Sequence, residues 1–402
     1  MHPLRLLGAM MLSLPWVSLH LAVEGIGLRT FARRSAGAGE HPWGGRVEGI
    51  GPAWLTALLR EGLALGPELD VERLDLHRVG HDGQLSAIYR LTPTYAGTTS
   101  GPASLILKTT APRVKDRLLN RLFDLFANEI SAYELPTPAL GLLRPRCWYG
   151  HRHPTTGASL LLLEDLGGWR FEGHNRTLNA EDARTLVRAL AEHQAHWWQH
   201  PSFAESPFRT TSEAFEEFLT PLVKIAWRRG RRSLASLVDR GTFDLFERFV
   251  GDQGAILRRM AAAPPTLVHG DLNINNVFFD DERSRVTAID WAGARIGSWA
   301  EDLAHIVVMN LGPHLGANLE EELLAEHRRV LAERGTVLHH EEQRRGYALG
   351  LFQTCAILVI ATIILDEKRN PALFASYQDT LQSWAAAARR HHLAELLAEA
   401  LQ

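Results

Sequence analysis

The spacing of apolar and polar positions divides the chain into a strand-rich first part and a helical remainder. Residues 52–60 (PAWLTALLR) place apolar side chains at helical spacing, and Gly62 closes the segment. Val71–Val79 (VERLDLHRV) alternates with a period of two, as a half-buried strand does. A turn bearing Gly80, Gly83 and Ser86 follows, and residues 87–91 return as a second strand. Residues 104–108 (SLILK) predict a third strand that ends on Lys108. Residues 113–134 predict a helix whose apolar stripe is Leu118, Leu119, Leu122, Phe123 and Phe126. Two more strands are expected at 142–149 and 159–163, joined by a polar loop at 151–157. From Asn179 the period becomes helical, first over 183–198 and then through 215–260. Short apolar runs reappear at 267–303, and the rest of the chain is helical. Within it, residues 349–365 (LGLFQTCAILVIATIIL) are the most apolar run but fall at the short end for a bilayer span, which predicts a buried helix. Residues 383–401 predict one amphipathic terminal helix with Trp384, Ala388, Leu393, Leu396 and Leu397 on its apolar face.

Composition narrows the classes. At 402 residues the chain is long enough for two or three packed units, given about 100–200 residues per domain. Hydrophobic content of 46% and charged content of 22% describe an ordinary globular protein. A net charge of −3 gives no electrostatic footprint for nucleic acid. Cys147 and Cys355 are too few for a disulfide framework and lack metal-ligand spacing, which fits a reducing interior. His193 and His196 stand three apart without the acidic companion of a zinc motif, so they are read as ordinary helix residues. The basic cluster Lys224, Arg228, Arg229, Arg231 and Arg232 is read as a solvated helix face. Residues 6–23 are mostly apolar, but Pro15 and His20 interrupt them. Three readings stay open there: a docking or disordered extension, a membrane-associated segment, and a secretory signal. Residues 37–51, rich in glycine and charge, read as a linker.

The chemistry concentrates at 267–303 (LVHGDLNINNVFFDDERSRVTAIDWAGARIGSWAEDL). Leu267 and Val268 lead into His269, Gly270 and Asp271, and Asn276 stands directly before the run Val277-Phe278-Phe279. A polar turn at 280–285 returns the chain as Val286-Thr287-Ala288-Ile289, which ends on Asp290. The pattern predicts a β-hairpin that delivers Asp271, Asn276 and Asp290 to one edge. Three such oxygen-bearing side chains suit Mg²⁺, a hard cation that prefers carboxylate, amide and phosphate oxygens.

The order His269-Gly270-Asp271, Asn276, Asp290 resembles the H-R-D-L-x-x-x-N loop and following metal-binding Asp of protein kinases. Glycine in place of arginine, and Ile289-Asp290-Trp291, resemble the aminoglycoside phosphotransferase and choline kinase branch of that fold. The continuation from Ile296 to Ala304 (IGSWAEDLA) is similar to its ecdysteroid-kinase-like relatives. The resemblance implies an α+β, two-lobed, protein-kinase-like fold. Residues 1–50 would be an extension and linker, 51–165 a nucleotide-binding lobe of antiparallel sheet and one helix, and 166–402 a helical catalytic and acceptor-binding lobe. It implies Asp271 as the base, Asn276 and Asp290 as metal ligands, and His269 and Asp302 as supports of the catalytic loop, Asp302 being buried. Lys108 would hold the nucleotide phosphates, with Glu129 as its acidic partner rather than Asp124 or Glu134. The turn with Gly80, Gly83 and Ser86 would cover the nucleotide, although it departs from the full G-x-G-x-x-G pattern.

The expected activity is transfer of the γ-phosphate of ATP, with Mg²⁺, to a hydroxyl of a small molecule, steroid- or lipid-like, by a cytoplasmic enzyme. Neither nucleic acid nor membrane contact through residues 1–30 is favoured. The alternatives are O-phosphorylation of an aminoglycoside-type antibiotic, and a catalytically silent nucleotide-binding pseudokinase.

Overall fold

The computed structural model describes residues 47–63, 68–79, 86–97, 101–110, 125–136, 140–152, 159–171, 173, 177–313, 316–365, 367–368 and 371–401. The N-terminal apolar stretch, most of the linker, Gly80 and Gly83, and the first half of the helix expected at 113–134 lie outside them. The chain forms two compact units. One holds the described residues up to Pro136 together with Pro145–Gly168, and the other holds Thr137–Arg144 and Trp169–Gln402.

The first unit is built on helix α1 (Pro52–Leu63) and strands β1 (Val71–Val79), β2 (Ser86–Tyr95) and β3 (Leu105–Thr110). Helix α2 (Leu125–Glu134) and strands β5 (Cys147–Arg152) and β6 (Ser159–Glu164) complete it. Its sheet runs β1-β2-β3-β6-β5, antiparallel throughout. Leu55, Leu58 and Leu59 share one stripe of α1 and pack with Leu69, Leu91, Leu105, Leu107, Leu160 and Leu162. Because strand side chains alternate, the register that sends Leu105 and Leu107 into this core sends Lys108 to the opposite face. The strand expected at 142–149 is two strands. Its first part, β4 (Leu142–Leu143), belongs to the second unit, and β5 to the first. Arg144, Pro145 and Arg146 carry the chain across, a change of partner that alternation does not encode.

In the second unit, β7 (Arg170–Phe171) precedes helix α3 (Ala180–Trp197). The Asn179 side chain caps α3 by accepting from the Asp182 N–H, while the buried Asp182 carboxylate receives both Arg170 Nη groups at 2.7 and 3.1 Å. Helices α4 (Thr220–Leu237), α5 (Arg240–Gly251) and α6 (Gln253–Ala261) follow. Lys224, Arg228, Arg229, Arg231 and Arg232 are all exposed on α4, a solvated face. Then come β8 (Pro265–Val268), β9 (Val277–Phe279), β10 (Val286–Ala288), β11 (Arg295–Ser298) and helix α7 (Ala300–Asn310). The chain ends in α8 (Gly316–Glu333), α9 (His340–Ala361), α10 (Pro371–Arg390) and α11 (Leu393–Ala400).

Helix α9 contains most of the apolar run at 349–365, with Leu351, Phe352, Cys355 and Val359 buried. Among the described residues no helix is long and apolar enough to cross a membrane. The terminal segment is not one helix. Buried Glu320 receives the Arg390 guanidinium and, at 2.8 Å, His391 Nε2, and the chain breaks at His392 with φ +49° before α11 begins.

Two buried histidines tie α3 to its surroundings in the neutral form. His193 Nε2 lies 3.0 Å from the Leu267 carbonyl. His327 accepts from Gln343 Nε2 at Nδ1, so its Nε2–H donates to Gln194 Oε1 at 2.6 Å. Burial pushes both rings down to about 3, with Arg144 adding to the effect at His193 and Arg328 at His327. The folded values lie below the unfolded one, so the unfolded chain binds protons first as pH falls. Stability is therefore expected to decline below about pH 6.5, at about 1.4 kcal/mol per pH unit for each ring. Urea midpoints between pH 7 and pH 5 should fall accordingly, and less steeply in His327→Gln. A flat profile would contradict the neutral network.

Candidate active site

The segment expected to be a single hairpin is two nested ones. The inner pair, β9 and β10, is antiparallel with Val277 opposite Ala288. Its polar turn is organised by Asp280, which accepts from the Ser284 and Arg285 N–H groups at 2.7 and 3.0 Å. Burial raises the Asp280 carboxyl, but the bonds from Arg285 and Ser284 outweigh it and hold it down to about 2. The outer pair, β8 and β11, is antiparallel with Val268 opposite Arg295. Asn276 and Asp290 thus stand at the open end of the inner hairpin, where the Ile289 N–H donates to the Asn276 carbonyl at 2.9 Å. Asp271 leaves the end of β8.

His269, fully buried, opens the loop. Its Nδ1 accepts from the Asp271 N–H at 3.2 Å, which leaves Nε2–H to donate to the Ile289 carbonyl at 3.0 Å. Burial lowers this ring's pKa against the raising pull of Asp302, Asp271 and Asp290. A neutral imidazole therefore bridges the Asp271 N–H and the Ile289 carbonyl and packs on Trp291 at 4.5 Å between ring centres.

Gly270 has φ +86°, and a Cβ there would stand 2.2 Å from Arg295 Nη1 and 2.5 Å from the Gly293 carbonyl. Glycine is what this turn accepts, both for its backbone angle and for the approach of Gly293. Buried Asp302, in the first turn of α7, accepts from the His269 N–H at 2.7 Å and the Gly270 N–H at 2.9 Å. Two backbone donors of a turn without its own secondary structure are satisfied this way.

The Asp271 side chain is half exposed, at 51%. Its Oδ1 accepts from Asn273 Nδ2 at 2.7 Å, and its Oδ2 from Asn276 Nδ2 at 3.0 Å. Asn276 Nδ2 also reaches the Asp271 carbonyl at 2.8 Å. The nitrogen end of this amide is fixed by two acceptors, so Oδ1 of Asn276 is the end left for a cation. Asp290, whose φ is +62°, is the carboxylate that could serve as a second oxygen donor. An amide oxygen and one carboxylate, completed by phosphate oxygens and water, are a set that suits Mg²⁺. Among the described residues no cluster of three or more His, Cys, Asp or Glu forms a cage for a metal.

In the other unit, Lys108 Nζ meets Glu129 Oε1 at 2.7 Å, and both side chains are buried. Lys108 also lies over the Phe126 ring, 5.7 Å from its centre. Glu129 sits on the buried stripe of α2 with Phe126, Ala132 and Tyr133. Ser86 is the first residue of β2, opposite Thr110.

Several residues of the loop's support had no signal in the sequence. Asn310, fully buried at the end of α7, accepts from the Ile274 N–H at 2.6 Å and donates to the Leu272 carbonyl at 3.1 Å. Arg295 and Glu301 form a buried pair, with Nη2 to Oε2 at 2.6 Å. Arg295 Nη1 also donates to the Gly293 carbonyl, and Glu301 Oε1 accepts from Thr211 Oγ1 and the Ser298 N–H. Asn273 had a weak signal, since Asp-x-Asn favours local side-chain to backbone turns.

A model of the Ecdysteroid kinase-like family matches residues 80–340, more than half of the chain. No curated protein matches the sequence. Among solved structures, the choline kinase of Cryptosporidium parvum Iowa II is similar at a TM-score of 0.54 and 11% identity, covering 87% of this chain and 99% of that one. The Plasmodium vivax ethanolamine kinase is similar at 0.49 and 12% identity, over 83% of this chain and 87% of that one. A wild-type aminoglycoside 2'-phosphotransferase-IIIa, in its GDP complex, scores 0.48 at 15% identity, over 84% of this chain and 98% of that one. The antiparallel first sheet, the helical second unit and the choline kinase likeness give an α+β, protein-kinase-like fold. The family match indicates small-molecule phosphotransferase activity, and the chain belongs to the ecdysteroid kinase-like family.

Proposed function

We propose that this protein transfers the γ-phosphate of ATP to a hydroxyl of a steroid- or lipid-like small molecule. The observation that carries the reading is the Asp271 carboxylate, half exposed yet held by two amides on a loop whose backbone is tied down by Asp302 and Asn310. A carboxylate so fixed can orient a hydroxyl and take its proton as the acceptor oxygen bonds to the γ-phosphorus. The bond from that phosphorus to the bridging oxygen breaks, and ADP leaves with the electron pair. Asn276 and Asp290 would hold Mg²⁺, which when bound neutralises the charge of the β- and γ-phosphates. Positioning and charge neutralisation supply the rate, since little covalent chemistry is asked of the protein.

Lys108 is proposed to bind the α- and β-phosphates, with Glu129 holding its ammonium in place. Residues 51–165 would thus form the nucleotide-binding lobe and 166–402 the catalytic one, with Gly80, Gly83 and Ser86 on the nucleotide-covering turn. Lys108→Met is expected to weaken nucleotide binding about 10- to 100-fold, the worth of a charge-assisted bond to phosphate. Calorimetric titration with Mg·ATP measures it, and an unchanged Kd would remove Lys108 from the site.

The acceptor class rests on the family match. An aminoglycoside acceptor would call for a strongly acidic pocket, and residues 179–260 carry both signs with several arginines. The test is Mg²⁺-dependent ATP turnover across a panel of hydroxylated steroids, lipids, amino alcohols and aminoglycosides. Product from the steroid or lipid class supports the assignment, whereas product from aminoglycosides alone overturns the acceptor class. Absence of Mg·ATP binding overturns the phosphotransferase reading.

A further inference from the structure

The catalytic loop lies along helix α7 in a fixed order. Asp302 takes the His269 and Gly270 N–H groups, and Asn310 takes Leu272 and Ile274 eight residues further along. Between them stands His305, three residues after Asp302 and therefore on the same helix face. It reaches the part of the loop that the other two leave, the side chain of Asp271, with Nε2 at 3.4 Å from Oδ1. His305 is 1% exposed, and neither ring nitrogen has a hydrogen-bond partner among the described residues. A buried polar group left in that state is costly, by about 1–3 kcal/mol. An apolar side chain would avoid the cost, so the imidazole calls for an account.

We propose that His305 is a positioning residue for Asp271. Its Nε2–H donates to Oδ1 and fixes the rotamer of the carboxylate that receives the acceptor's proton. Contacts of this kind are often long or oblique without substrate and tighten in the reacting complex. With Asn273 and His305 both on Oδ1, and Asn276 on Oδ2, the remaining lone pair of Oδ2 is directed to the acceptor hydroxyl. The proposal rests on Asp271 being the base, and its test separates the two.

In the full-length protein, long-range ¹H–¹⁵N spectra should show His305 as the Nε2-protonated tautomer, assigned by its loss in His305→Gln. Asp271→Asn should move that resonance. A resonance indifferent to Asp271→Asn overturns the contact, whether or not the protein is active. With an active acceptor, His305→Leu is expected to lower kcat about 10- to 100-fold, leaving the nucleotide KM unchanged and the thermal midpoint unchanged or raised. His305→Gln, which can place an N–H near the position of Nε2, should recover part of the loss. Equal loss in both variants with a lowered midpoint, or full activity in His305→Leu, overturns the proposal. A shifted resonance in a protein that phosphorylates no acceptor supports the contact and sinks the base assignment.

Discussion

Asp271→Ala is expected to lower kcat for acceptor phosphorylation by about 10²- to 10⁴-fold, the usual contribution of a positioned general base. Affinity for Mg·ATP should hold, because Asp271 is assigned to the acceptor hydroxyl and not to the nucleotide. A loss confined to kcat, with kcat/KM for the acceptor falling in proportion, is the signature of an interaction made in the transition state. Asp290→Ala should behave differently, losing turnover together with the Mg²⁺ dependence of nucleotide binding. If Asp271→Ala retained wild-type kcat, the base would have to be sought elsewhere. The loop's geometry makes the comparison clean. Its backbone is held by Asp302 and Asn310, and His269 reaches the Asp271 N–H rather than its side chain. Removing the Asp271 carboxylate therefore leaves the frame in place.

Glu301→Gln is expected to cost about 3–5 kcal/mol, the penalty for stripping one partner from a buried ion pair. The Arg295 side chain is 8% exposed and that of Glu301 1%, so water cannot replace the missing charge. Against a typical total of about 5–15 kcal/mol, such a loss is large enough to read directly from urea midpoints. The double replacement Arg295→Met with Glu301→Leu should recover only part of it, because no isolated charge remains buried but the Gly293 carbonyl, the Thr211 hydroxyl and the Ser298 N–H lose their partners. The damage should also reach the active loop. Arg295 Nη1 occupies the space beside Gly270, and Glu301 immediately precedes Asp302. A Glu301→Gln protein with an unchanged urea midpoint would contradict the buried-pair account.

Most elements could be read from local periodicity. The alternation at Val71–Val79 and the helical spacing from Asn179 onward each became the element they predicted, whereas the strand expected to end on Lys108 runs on to Thr110 and holds the lysine in its interior. The apolar run at 349–365 was also legible as a buried helix, since its length and its Gln353 spoke against a membrane span. Where the reading failed, the chain changed partners or met a distant charge. The strand expected at 142–149 divides because Leu142–Leu143 pairs in parallel with β10, and Cys147–Arg152 with β6. The terminal helix breaks where Glu320 captures Arg390 and His391, some seventy residues away in sequence.

The candidate site was legible to the extent that its residues are close in sequence. His269, Asp271, Asn276 and Asp290 lie within one short stretch, and a turn of mixed amides and acids between apolar runs marks it without any knowledge of packing. Composition and spacing by themselves determined the strand-rich first part, the helical remainder and the oxygen-donor chemistry of that stretch. Tertiary structure alone decided that β8 pairs with β11, that Arg295 and Glu301 are buried together, and that Asn310 and His305 lie against the loop. The physical reason is range. Periodicity reports which face of an element is buried, but not which distant group it is buried against. A polar side chain on a helix reads the same whether it meets water or the backbone of a loop more than thirty residues away.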